Sequence, residues 1–199
     1  MNVAIVDTGA GNIGALQAAL QRLGAEGRLV TEAAALADAE RVLLPGVGAA
    51  GAAMATLRAN GLTEALRRLE VPLLGICLGM QLLFERSREG EVETLGLLPG
   101  TVAPLPPAPA LRLPHTGWSR LHRRGDDPLL EGVADGAWAY FVHGYAAPVG
   151  ADCVAEAEHG ERFAAAVRRG RIAGTQFHPE RSGLAGARIL QSFLKGWDR

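Results

Sequence analysis

Cys77 lies between two glycines in Gly75-Ile76-Cys77-Leu78-Gly79, where an apolar run opened by Pro72 passes into Met80 to Phe84. The G-x-C-x-G spacing is the cysteine form of a nucleophile elbow: small flanking residues let a buried strand and the next helix close around a strained turn that holds the sulfur outward. Unpaired N–H groups and the positive end of a helix dipole at such a corner favour thiolate. Acyl transfer by a thiolate needs a base, and of the five histidines only His178 carries an orienting neighbour in its own segment. In Gln176-Phe177-His178-Pro179-Glu180, Pro179 forces His178 into extended backbone, where side chains at i and i+2 face the same way. Glu180 can then accept one imidazole N–H while the other nitrogen serves the thiol. Attack on a carbonyl creates an oxyanion, for which the Leu78 N–H and a turned peptide at Val47, in Pro45-Gly46-Val47-Gly48, are the expected donors. Taken singly, Cys77 could be a small buried hydrophobe and His178 and Glu180 a surface pair; together they describe a cysteine-dependent acyl-transfer site.

These side chains need elements that end at a common edge. Asn2 to Val6, Arg28 to Val30, Arg41 to Leu44 and Leu73 to Ile76 read as short strands, the second of them weak. Between them, Ile13, Leu16, Ala19, Leu20 and Leu23 mark one helix stopped by Gly24, and Met54 to Leu69 carries helical periodicity broken at Asn60-Gly61. This alternation predicts an α/β fold, a doubly wound, mostly parallel sheet flanked by helices. After Arg86 the pattern changes: Pro104 to Pro109 reads as an extended surface connection. Trp138 to Val142, Val154 to Glu158, Ala164 to Arg168 and Ile172 to Gln176 read as added antiparallel strands, and Leu184 to Trp197 as a closing helix. With no repeat and no second core, residues 1–199 are expected to form one domain.

The net charge of -1 and the lack of basic clusters beyond Arg123-Arg124 and Arg168-Arg169 argue against nucleic acid as a partner. Two cysteines are too few for a disulfide framework, no basic-then-apolar leader opens the chain, and the apolar runs are too short to span a membrane. A soluble, cytoplasmic protein is expected. Gly9-Ala10-Gly11-Asn12-Ile13-Gly14 satisfies G-x-G-x-x-G with Glu32 downstream, a dinucleotide-binding pattern. The weak second strand and the placing of Glu32 beyond it count against that use, since glycines also make the cheapest strand-to-helix turn.

Residues 75–81, Gly-Ile-Cys-Leu-Gly-Met-Gln, with Gln176 to Glu180 and Pro45 to Gly48, spaced over nearly the full length, resemble the triad-type, class I glutamine amidotransferases. Within that family, Pro114-His115-Thr116-Gly117-Trp118, Tyr140 to Tyr145, Gly174 to Gly183 and the opening Asp7-x-Gly-x-Gly-Asn12 are similar to the glutaminase subunits of imidazole glycerol phosphate synthases. The resemblance implies a flavodoxin-like fold with Cys77, His178 and Glu180 as a triad that hydrolyses glutamine to glutamate and ammonia, without metal or cofactor. It implies substrate contacts at Gly48 and along the backbone of His143, Gly144 and Tyr145; Gln81, one helical turn past Cys77, is on the right face to join them. Because nothing in the chain could use the ammonia, it further implies a heterodimer with a (β/α)8 cyclase of histidine biosynthesis, met through Asn12, His115, Thr116, Trp118 and Arg181. Thr8, Thr116, Ser119, Gly144 and Arg181 depart from the usual aromatic, Met, Asn, Ser and Lys. A subunit serving anthranilate, aminodeoxychorismate or pyridoxal phosphate synthesis, and a non-catalytic binding module on the same fold, are the alternatives.

Overall fold

Buried runs of branched apolar residues form the centre of one sheet, because strands covered on both faces have no polar side to show. In the computed structural model, which describes residues 1–107 and 111–197, the order is β1 (Val3–Val6), α1 (Ile13–Arg22), β2 (Gly27–Val30), β3 (Arg41–Gly46), α2 (Ala50–Ala59), α3 (Leu62–Arg67), β4 (Leu73–Cys77) and α4 (Leu78–Gln81). There follow β5 (Arg86–Ser87), β6 (Val92–Glu93), β7 (Thr101–Pro104), β8 (His115–Arg120), β9 (His122–Arg123), β10 (Trp138–His143), β11 (Tyr145–Ala146), β12 (Cys153–His159), β13 (Glu161–Arg169), β14 (Ile172–Thr175) and α5 (Gly183–Lys195).

The main sheet runs β2-β1-β3-β4-β14-β13-β12-β9. Its first five strands are mutually parallel and the rest antiparallel. Period-two alternation splits β1 between two cores: Val3 and Ile5 pack with Leu16, Leu20, Ile189 and Phe193 of α1 and α5, while Ala4 and Val6 pack with Met54, Leu57, Leu62 and Leu66 of α2 and α3. The doubly wound expectation therefore holds. The chain leaves β1 first to one side and then to the other, and such sheets bind ligands outside the carboxyl ends of their strands.

Four features differ from the sequence reading. The weak strand near Arg28 forms in full as the sheet's edge, in parallel register with β1. The segment beginning at Ile172 is no antiparallel addition: β14 lies parallel to β4, Thr175 opposite Ile76, which brings the residues after both strands together. The helical stripe expected to continue to Phe84 ends at Gln81, because the carbonyls of Leu82, Leu83 and Phe84 accept from Leu95, from Leu97 and Leu98, and from Gly96. A second sheet, β11-β7-β5-β6, and a β8-β10 ribbon carry much of the second half. Of the Pro-rich connection, Pro104 closes β7, and Ala108 and Pro109 lie outside the described residues.

Candidate active site

Cys77 ends β4 at φ 55, ψ -111, a backbone conformation an L-residue adopts only when its surroundings impose it. The surroundings are the two glycines. A Cβ on Gly79 would lie 1.6 Å from the Leu44 carbonyl oxygen, and one on Gly75 would lie 2.7 Å from the Gly79 carbonyl. Strand and helix thus meet at backbone contact, and any side chain there would force them apart. The Cys77 sulfur is 3.7 Å from Val142 O and 3.8 Å from Gln176 Nε2.

One strand over, β14 leads into His178, whose backbone is extended at φ -92, ψ 101 before Pro179 opens a short 3-10 turn. The turn is held from three sides. His178 N donates to Tyr140 O at 3.0 Å, Ser182 Oγ donates to His178 O at 2.7 Å, and α5 presses so close that a Cβ on Gly186 would lie 1.9 Å from Pro179 O. Glu180 Oε1 accepts from His178 Nδ1 at 2.9 Å, both side chains being almost fully buried. Burial pushes the imidazole pKa down; bonding to Cys77 and Glu180 and their negative charge outweigh it and hold it up at about 10. The sulfur lies near enough to keep the proton on the ring, although Nε2 meets good hydrogen-bond geometry with no described atom. The arrangement favours imidazolium beside the Cys77 sulfur, with Nε2 left available to a reacting group.

Cys77 opens into a cavity of about 220 Å3, below the roughly 300–1,000 Å3 of clefts for drug-sized ligands and on the scale of an amino acid. Val47, Gly48 and Leu78 line it on the β3 side, Gln81 and Glu89 on another, and Val142 to Tyr145 opposite. Gln81 Nε2 donates both to Tyr145 O at 2.8 Å and to Gln176 Oε1 at 3.0 Å. Gly46 pairs with Cys77 across the sheet and Gly48 sits at φ +89, so the Val47 peptide stands beside the sulfur. Glu89, which sequence reasoning missed, is the one carboxylate lining this cavity among the described residues; its Oε2 accepts from Ala50 N at 2.8 Å. No local signal marks it, because the fold of the β5–β6 hairpin alone brings it there. A larger recess of about 960 Å3, lined by Met1, Arg123 and Trp197, lies at the opposite, amino-terminal edge of the sheet, remote from the cysteine.

Behind Tyr145, His143 Nδ1 contacts Tyr145 O at 2.9 Å, its Nε2 contacts His115 Nδ1 at 3.0 Å, and His115 Nε2 contacts Ser119 Oγ at 3.0 Å. Burial pushes His143 down to about 3 and His115 to about 4, with the neighbouring His159 pushing the same way, so both rings are neutral. His115 therefore lies inside the protein, 3% exposed, and not on the surface where the sequence reading put it. Trp118 is 52% exposed and meets Tyr140 edge-on, with the Arg181 guanidinium 4.3 Å over the same ring; Thr116 is exposed on the same ribbon. Asn12 Oδ1 caps α1 by accepting from Ala15 N at 3.3 Å, so the glycine loop before it serves as a helix entry.

The family profile for class-I glutamine amidotransferases matches residues 4–197. The chain belongs to that family. A protein from Xanthomonas axonopodis pv. citri (strain 306), named imidazole glycerol phosphate synthase subunit HisH, is 58% identical over 194 residues, covering 98% of this chain and 97% of the relative. The subunit of the same name from Xylella fastidiosa (strain Temecula1 / ATCC 700964) is 57% identical over 193 residues, 97% and 96% of the two chains. A solved glutamine amidotransferase superposes with a TM-score of 0.75 at 22% identity over 98% of both chains, and PurLQS from Thermotoga maritima with 0.67 at 21% over 98% and 97%; at that identity the likeness is one of fold. No helix among the described residues is long and apolar enough to cross a membrane.

Proposed function

We propose that this amidotransferase is the glutamine-hydrolysing subunit of an imidazole glycerol phosphate synthase, supplying ammonia to a (β/α)8 cyclase in the cytoplasm. The observation that carries the reading is the amino-acid-sized pocket on Cys77, with His178 and Glu180 hydrogen-bonded behind the nucleophile; the full-length likeness to HisH subunits names the synthase.

In this reading the Cys77 thiolate attacks the side-chain amide carbon of glutamine, and the N–H groups of Val47 and Leu78 receive the developing oxyanion. His178 Nε2 gives its proton to the departing nitrogen, leaving a γ-glutamyl thioester and ammonia. Water, deprotonated by the now neutral His178, attacks the thioester; glutamate leaves and the thiolate is restored, so that glutamine and water become glutamate and ammonia. Glu180 keeps Nδ1 protonated and steadies the imidazolium. Glu89 and Gln81 suit the substrate's ammonium group, and the backbone at Gly48 and Gly144–Tyr145 its carboxylate. Released ammonia would become ammonium in water, so a partner must receive it at the protein surface, for which Asn12, Thr116, Trp118 and Arg181 are the contacts we propose.

Glutamate release is measured with and without the candidate cyclase, for the wild type and Cys77→Ala. The expected outcome is strong activation by the cyclase, through the exposed Val47 peptide, and loss of glutamine-dependent but not ammonia-dependent synthesis in Cys77→Ala. Equal glutaminase rates with and without the cyclase would refute the activation, and loss of both syntheses would give Cys77 a structural role.

A further inference from the structure

Chemistry in the pocket uses Gln81 and the Tyr145 backbone, and both are held by a row of side chains that runs from His143 in the pocket wall back to His115 and Ser119 outside it. Tyr145 O is a shared acceptor, taking one N–H from Gln81 Nε2 and one from His143 Nδ1. Since a carbonyl can only accept, His143 must carry its proton on Nδ1, and its Nε2 must be the acceptor toward His115. His115 then carries its own proton on Nδ1, and its Nε2 must accept the Ser119 hydroxyl. The carbonyl end thus assigns each proton along the row, the Ser119 hydroxyl being able to donate as required, and the direction is Ser119 to His115 to His143 to Tyr145 O. The other His143 tautomer would set a nitrogen lone pair against the Tyr145 oxygen.

The same carbonyl fixes Gln81. With Nε2 donating to both Tyr145 O and Gln176 Oε1, rotating the amide would place Gln81 Oε1 against two acceptors. Gln81 therefore offers Oε1, an acceptor, to whatever enters beside Glu89. The ring of His143, bonded to the carbonyl two residues on, also closes the turn at Gly144, whose own carbonyl accepts from Leu105 N at 2.9 Å. His115 and His143 stand directly opposite each other in the β8–β10 ribbon, so one backbone pairing keeps the relay in register.

We propose that His115, outside the pocket, is a positioning residue for the amino-acid end of glutamine: its Nδ1–H donates to His143 Nε2 and so holds in place the ring whose own N–H fixes the Tyr145 carbonyl and, through it, the Gln81 amide. The proposal rests on the glutaminase reading. The triad is not part of the row, so the effect belongs to substrate binding more than to turnover.

The test uses the chain assembled with its cyclase and compares wild type, His115→Phe and His115→Asn in glutamine hydrolysis. Phenylalanine keeps a ring that can stack on Phe141 and His159 but cannot donate to His143, whereas an asparagine Nδ2 reaches the place of the histidine Nδ1. The expected result for His115→Phe is a KM for glutamine raised about 10-fold with kcat within about 2-fold, the scale of one lost buried hydrogen bond, and for His115→Asn a KM within about 3-fold of wild type. An unchanged KM in His115→Phe, an equal rise in both variants, or a loss mainly in kcat would overturn the proposal. Wild-type chain inert toward glutamine in the complex would overturn the glutaminase reading and this proposal with it, whereas an active wild type with an unaffected His115→Phe overturns the positioning role alone.

Discussion

His178 and the His115–His143 pair are buried to similar depth, yet one site favours imidazolium and the other two neutral rings. Depth alone would push all three pKa values down. The difference lies in what each ring faces: His178 has the Glu180 carboxylate on one nitrogen and the Cys77 sulfur near the other, whereas His143 and His115 face each other, a carbonyl and a hydroxyl. Anionic neighbours suit a ring to acid–base chemistry, as proposed for His178; neutral ones suit it to a strut, as proposed for His115. The two environments respond to different perturbations.

The largest expected effect separates them by activity. In the proposed mechanism His178 protonates the leaving nitrogen and activates water, so in His178→Asn glutamate release in the cyclase complex should fall about 10⁴- to 10⁶-fold, the scale for removing a triad member. A loss no greater than that of His115→Phe would erase the distinction between catalyst and strut.

Stability against pH separates them by sign. The folded-state pKa values of His115 and His143, about 4 and about 3, lie below the ordinary value of 6.5. The unfolded chain therefore binds more protons below about pH 6.5, and stability falls as pH drops from there toward about 4, by up to about 1.4 kcal/mol per pH unit for each ring. His178, held up at about 10, does the reverse: its contribution is complete below about pH 6.5 and is lost as pH rises toward about 10. His159, stacked on His115, and His178 are the titratable groups facing the neutral pair. Urea unfolding of wild type and His115→Phe at pH 6.5 and 5 checks this; the variant should lose less stability between the two, and parallel losses would contradict the neutral assignment.

The smallest effect concerns the second cysteine. Cys153 is as buried as Cys77, but its surroundings push its pKa up to about 11, chiefly through burial, and its thiol donates to Ala155 O at 3.2 Å. Cys153→Ala should cost about 1 kcal/mol in urea unfolding and change glutaminase activity less than about 2-fold, a small cavity in the core. A larger loss of activity would show that the two cysteines are less distinct than their environments imply.

Much of the site was legible because it is built from local geometry. The elbow follows from Gly75 and Gly79, whose missing side chains are the space that strand and helix occupy, and the His178–Glu180 contact from a proline that imposes extended backbone between them. The length of α4 was not legible: its carbonyls are taken by residues 95–98, partners that periodicity cannot reveal. Nor was the direction of β14, since four apolar residues pair as readily parallel as antiparallel until the neighbour is known. Glu89 and the inward turn of His115 were hidden for the same reason, both depending on sheets assembled from two-to-six-residue strands distant in sequence.

By itself, then, the sequence determined that Cys77 sits on a glycine-flanked elbow and that His178 and Glu180 pair, four of the five parallel strands, and the family. These rest on steric rules acting within a few residues: glycine where backbones touch, proline where a turn must stay extended, alternation where both faces are buried. Tertiary structure alone decided which walls enclose the sulfur, that Glu89 joins them, and that two of the five histidines stay neutral while a third holds its proton. Those depend on which groups meet across the fold, and charge and hydrogen bonding act on the neighbours a residue has in space.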